Sequence, residues 1–292
     1  MTSVVERHQI PDRDVIAQDF ARLDASIPDL LERLRSEEKP ESPGGPTPLG
    51  RLWGTCVAAV EDLSLVDPTS RRIRELAAMA RQSGVGLFWA SEGPTSWPPV
   101  RVPIGPVDYQ IPATGRSSET TPQVWETVMW QQEICRMGNA PKMLIADDEF
   151  TVDGTPDPYV FAWVEAMRAV WSRASHAISA VTTAIELSKP ENAPNTDSQY
   201  LDRIVYPKMR TFYYAIQGLD DKFNESLRGA LEQHRRYYEA PQRAGVRAGL
   251  ISWPLLGIAC MAMTFGNDVR VTSDYLPEQL LYPTDWADSL GW

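Results

Sequence analysis

The chain has 292 residues, 43% of them hydrophobic, enough for one large core or two closely packed ones, and this composition excludes wholesale disorder. A formal charge of -11, from 39 acidic against 28 basic residues, argues against nonspecific nucleic-acid binding, because a phosphate backbone is normally met by Lys and Arg. A basic partner is the one such a surface attracts.

The N-terminus, MTSVVERHQIPDRDV, has no basic stretch followed by an apolar run, and no later window reads as a membrane span, which predicts a soluble, cytoplasmic protein. Asp14 to Arg35 has apolar residues at helical spacing, with Pro28 expected to bend or divide it. Ser36 to Gly50 is rich in Pro and Gly and reads as a mobile linker, after which Leu52 to Val60 resumes a helix. Asp67-Pro68 looks like the cap and first turn of a third helix that stops near Gly84. From Val85 to Ser118 prolines interrupt every helical pattern, predicting an insert that is an ordered loop or a small strand pair.

Thr121-Pro122 restarts a helix that runs to about Met137, exposing Trp125 and Met129 on one side, and Met143-Leu144-Ile145 could form a brief strand. Pro156 to Leu187 carries the strongest helical period, through Val164, Met167, Trp171, Ala174, Ile178, Val181 and Ile185, as one long helix or two. Tyr200 to Ile216 gives another helix, with Pro207 as a kink or boundary, and Gly218-Leu219-Asp220-Asp221 makes a tight turn into a helix bearing Phe223, Leu227, Leu231 and Tyr238. Gly249 to Gly266 is a short apolar helix, capped by Ser252, opened by Pro254 and ended at a left-handed Gly266. It is read as too short and interrupted to span a bilayer, which takes about 20 residues. Val269 to Thr272 alternates as a half-exposed strand before Ser273-Asp274-Tyr275-Leu276-Pro277 turns the chain. The fold expected is mainly α, an irregular helical bundle or array with a small β element and a short C-terminal strand, forming a single domain over residues 1–292.

Catalytic signatures are missing from this pattern. The chain has no HExxH, no Cys/His cluster, no GxSxG elbow, no GxxxxGK[ST] loop and no GxGxxG after a strand, so no metal or cofactor is expected. Cys56, Cys135 and Cys260 are widely spaced and read as buried free thiols. His8 sits in an N-terminus expected to be loose, while His176 and His234 read as ordinary helical histidines. What remains are recognition features. Arg235, Arg236, Tyr237 and Tyr238 form a polar aromatic patch of the residue types favoured at interfaces, and Asp147, Asp148 and Asp274 are acidic groups able to meet a basic partner. The alternative for each is helix caps and solvated surface.

Two segments, YLDRIVYPKMRTFYYAIQGLDDKFNESLRGALEQHRRYYE and GLISWPLLGIACMAMTFGNDVRVTSDYLPEQLL, resemble the immunity-49 family, predicted antitoxins of bacterial polymorphic toxin systems. Phe212, Gly218, Phe223, Leu227, His234, Tyr237, Asp274, Tyr275 and Pro277 match the family's recurrent features. The resemblance implies a mostly helical cytoplasmic protein that binds and blocks a cognate protein toxin, with no catalytic residues to transfer; the acidic charge and the lack of a membrane-span window leave neither nucleic acid nor membrane as an expected partner. Two other readings stay open at this level. One is an enzyme of specialised metabolism with a helical pocket lined by Trp125, Trp163 and Trp171 beside His176 or His234. The other is a helical interaction scaffold, suggested by the partial repeat from Phe212 to Leu231.

Overall fold

The computed structural model describes residues 3–36, 46–136, 144–145, 150–152 and 154–282. It is mainly helical, with two small sheets. The chain gathers into two compact units, one from Arg13–Val152 and Tyr282–Trp292, the other from Met1–Asp12 and Asp153–Leu281.

In the first unit α1 (Arg13–Arg35), α2 (Pro48–Val66), α3 (Arg72–Ser91) and α4 (Pro122–Cys135) pack each against the next. Pro28 lies inside α1 without dividing it, and Ile27, Leu30 and Leu34 form the buried stripe. Residues 37–45 of the expected linker lie outside the described residues, but its end is already helix. Pro48 occupies the first turn of α2, and the Thr47 hydroxyl accepts from Gly50 N–H at 2.9 Å while donating to Glu119 Oε2 at 2.8 Å.

Three local readings need correction in this unit. Asp67-Pro68 does not begin α3; Asp67 ends α2, and its side chain holds the Thr69 hydroxyl at 2.7 Å in the turn that follows. Nor does α3 stop near Gly84. A Cβ there would meet Val128 Cγ2 at 2.6 Å and Trp53 Cδ1 at 2.9 Å, so the glycine permits close approach of neighbouring helices and the ladder runs on to Ser91. Leu144 and Ile145 are helical rather than extended, and Met143 lies outside the described residues.

The strand-pair alternative for the proline-rich insert is the one observed, over a shorter span. β2 (Val100–Ile104) and β3 (Val107–Ile111) form an antiparallel hairpin around Gly105, whose φ of 59° suits a residue without Cβ. Val102, Ile104, Tyr109 and Ile111 alternate inward, with β2 against α3 and β3 against α1. On α4, Trp125 and Met129 are fully buried rather than exposed as expected, and Trp125 Nε1–H donates to Leu144 O at 2.9 Å.

In the second unit the long period from Pro156 resolves into α5 (Pro158–Trp171) and α6 (Ala177–Leu187), broken where Arg173 takes a φ of 57°. Ser198–Tyr200 and a π-helical turn, Leu201–Val205, lead into α7 (Tyr206–Ile216), with Tyr206 N–H bonded to Leu201 O. Pro207 has no N–H to continue the α ladder, and so marks a boundary. Gly218, at a φ of 65°, turns the chain into α8 (Asp220–Tyr238), which packs back on α7. Phe212 lies under Trp163 and Trp171, with ring centres 5.2 and 6.1 Å away.

The C-terminal elements of this unit are α9 (Trp253–Thr264), β4 (Val271–Ser273) and α10 (Glu278–Leu281). Gly266 is left-handed as expected, at 90°, but the Ser252 side chain makes no cap bond. The strand lies about two residues later than its alternation suggests, with Val271 and Ser273 inward and Thr272 outward. Counting the turn before α9, Arg247–Thr264 reaches 18 residues at mean hydropathy 1.3, long and apolar enough to cross a membrane by length and composition, which corrects the shorter estimate. Yet 72% of that window is buried within the molecule, as in a core helix. Trp253, Leu256, Ala259, Tyr275 and Leu276 are all buried, and Ser252 N–H donates to Tyr275 O at 3.2 Å, whereas Met263 is only half-buried. Replacing fully buried Leu256 by alanine is therefore expected to lower unfolding free energy by about 2–5 kcal/mol in a urea titration.

Candidate partner-binding surface

Helix α8 has two faces. Phe223, Leu227, Ala230, Leu231 and His234 recur at spacings of three and four and are buried, which turns Glu232, Arg235, Arg236 and Glu239 into a stripe on another side. The opposite wall is β1 (Ser3–Val5), paired in parallel with β4 so that Ser3, Val4 and Val5 lie beside Val271, Thr272 and Ser273. Between them Val4, Val5 and Glu6 and the four α8 residues enclose an open recess of about 300 Å³.

The recess is polar and its charges are unevenly matched. Arg235 reaches Glu239 at 3.8 Å and Glu232 faces Arg228 at 3.6 Å. By contrast, the side chains of Arg236 and Glu6 are exposed and make no ion pair among the described residues. Val4, on the strand wall, is 68% exposed.

A buried network anchors this wall. His8 is 2% exposed, not loose as its position suggested. Its Nε2 lies 3.2 Å from Ala244 O, and a carbonyl can only accept, so Nε2 carries the proton and Nδ1 accepts from the Tyr275 hydroxyl at 2.8 Å. The same hydroxyl accepts the His8 backbone N–H at 2.9 Å. Nearby, Ser273 Oγ donates to Val5 O at 2.7 Å, and the Asp274 carboxylate accepts the Arg7 N–H at 3.2 Å. His234 donates from Nε2 to Gly249 O at 3.3 Å, with the rings of Tyr238 and Tyr275 each 4.7 Å away.

Burial decides the protonation state of both rings. Loss of water pushes the His234 pKa down to about 3, a shift that Arg7 and His8 reinforce and the bond to Gly249 opposes. His8 is shifted in the same direction, again chiefly by burial, with Arg7 and Arg235 adding to the shift and Glu239 working against it. Tyr275 is pushed up to about 12, so it stays a phenol and can donate. Two neutral histidines and one neutral tyrosine therefore form a polar core cluster suited to holding chain together.

Of the candidate recognition residues, Arg235 and Arg236 line the recess. Tyr237 is half-buried, with the Arg243 guanidinium 4.0 Å over its ring, and Tyr238 turns inward against His234 and Gly249. Asp274 is exposed but holds Arg7. Asp147 and Asp148 lie outside the described residues. Sequence reasoning missed β1 and His8; the only local trace was the β-branched pair Val4-Val5. The aromatic residues of the enzyme reading are dispersed: Trp125 belongs to the first unit, Trp163 and Trp171 to the second, and His176 is exposed beside Glu165 at 3.2 Å.

A family model described as Immunity protein 49 matches residues 69–280. The chain belongs to that family. No curated protein and no solved structure matches it. The Immunity protein 49 match reaches far upstream of Tyr200, the point from which the resemblance was legible, and takes in α3 and the β2–β3 hairpin. It includes the α8 wall of the recess but not β1. Among the positions matching the family's features, Phe212, Phe223, Leu227, His234 and Tyr275 are buried and Gly218 has a positive φ, so these six serve the fold.

Proposed function

We propose that this protein is a cytoplasmic antitoxin of a bacterial polymorphic toxin system, which binds a cognate toxin and blocks it by covering its active surface. The observation that carries this reading is membership of the Immunity protein 49 family over residues 69–280. Occlusion requires no reaction by the antitoxin, only a complementary surface of ordinary size, about 1,200–2,000 Å² in total. The net charge of -11 favours a basic toxin and disfavours nucleic acid as the partner. Arg235 and Arg236, with Glu6, Glu232 and Glu239, supply directional charges within that acidic surface.

Binding of the purified protein to the polypeptide encoded beside its gene, followed by size exclusion and stopped flow, tests this reading. A stable complex is expected, with an association rate that falls at least severalfold from low to high salt because exposed charges are screened over about 10 Å at 0.1 M. Failure of the two chains to co-elute, at low salt as well as high, contradicts it.

A further inference from the structure

The two-stranded sheet has an open side. Ser3 and Val5 hold β4: Ser3 N–H donates to Arg270 O at 3.0 Å, and the parallel register turns the backbone groups of every second residue toward the partner strand. Val4, the residue between them, consequently directs its N–H and C=O away from β4. Within the described sheet no strand lies on that side of β1. An unpaired strand edge is a template for another extended chain, because only an extended backbone presents donors and acceptors at matching intervals.

The recess limits what can lie there. Three residues of strand span about 10 Å at 3.3 Å per residue. The stripe from Glu232 to Glu239 rises about the same distance at 1.5 Å per residue. The two walls thus match in length a strand of three or four added residues. Alternation fixes their chemistry: Val4 and Glu6 share the outward face, and the α8 stripe borders the inward one.

We propose that the toxin partner adds an extended segment as a third strand along β1, placing a carboxylate on Arg236 and, on the opposite face, a cationic side chain beside Glu6. This proposal rests on the immunity reading and specifies its contact. Arg236 and Glu6 are the charges of the recess with no ion pair among the described residues, so an alternating strand carrying both signs satisfies them together. A second copy of this chain is disfavoured as occupant, since each copy carries a net charge of -11.

Amide exchange at Val4, measured in the free chain and with the polypeptide encoded beside its gene, tests the edge. Rapid exchange is expected in the free chain, with slowing of at least tenfold in the complex. Val4→Pro removes the outward N–H while sparing the bonds made by Ser3 and Val5, and should weaken binding at least tenfold; Val4→Thr, which keeps that N–H, should stay within about twofold. Arg236→Glu, an exposed change, should also weaken binding at least tenfold at an unchanged unfolding midpoint. Protection of Val4 in the free chain, unaltered binding by Val4→Pro or Arg236→Glu, or a dimer of the free chain dispersed by Val4→Pro overturns the proposal. If wild type binds and both variants bind equally, the strand contact falls while the immunity reading stands. If wild type forms no complex, both fall.

Discussion

Replacing Tyr275 by alanine is expected to lower the unfolding free energy by at least about 4 kcal/mol, the largest single effect foreseen in the second unit. The ring is fully buried, and emptying a buried aromatic site costs about 3–5 kcal/mol. The hydroxyl adds to this, because it accepts the His8 N–H and donates to His8 Nδ1, and its loss leaves both groups buried without that partner. Tyr275→Phe keeps the ring and should cost about 1–3 kcal/mol. Denaturant titration of the pair separates ring from hydroxyl. Equal losses in the two variants would show that packing contributes nothing beyond the hydrogen bonds, contrary to this account.

Acidification from pH 7 to pH 5 is expected to remove about 2 kcal/mol of stability through His234 alone. The folded chain holds this ring neutral, with a pKa near 3, whereas the unfolded chain binds a proton below about 6.5. Because the folded pKa is the lower, stability is full above pH 6.5 and declines as pH falls from there toward 3, by about 1.4 kcal/mol per pH unit. His8 contributes with the same sign, since its pKa is also lowered. Carboxylates ordinarily titrate lower, near pH 4, so the window between 6.5 and 5 isolates the histidines. His234→Gln keeps a donor for Gly249 O and should flatten the slope there. A wild-type unfolding free energy independent of pH from 7 to 5 would contradict the buried neutral assignment.

These two effects centre on a cluster that local patterning does not reveal. Helices α5, α7 and α8 were legible because Val164 and Met167, Phe212 and Pro207, and Leu227 and Leu231 each stand in a repeating or terminating context within one element. The β1–β4 pair was not, since Ser3 meets Val271 across nearly the whole chain and three residues give too short a period to detect. His8 looked loose for the same reason: its partners, Ala244 and Tyr275, are more than 230 residues away in sequence. Gly84 shows the opposite failure. Its local signal resembles a helix stop, but the close approach of Val128 and Trp53 outweighs the roughly 1 kcal/mol by which glycine disfavours a helix interior.

The candidate surface was legible by half. Arg235 and Arg236 adjoin in sequence and were singled out as interface residue types, yet the recess exists only once β1 stands opposite them. Tyr238 was grouped with them by adjacency, whereas the helical turn sends it inward, to within 4.7 Å of His234. Spacing along α8, rather than adjacency, separates the stripe of residues 232, 235, 236 and 239 from the buried face.

The most direct measurement of antitoxin function is growth of bacteria expressing the polypeptide encoded beside this gene, with and without this protein. The account predicts that the neighbour alone arrests growth and that co-expression of this chain restores it. Arrest that persists despite abundant, folded protein would contradict the claim that the chain protects its producer by blocking that toxin.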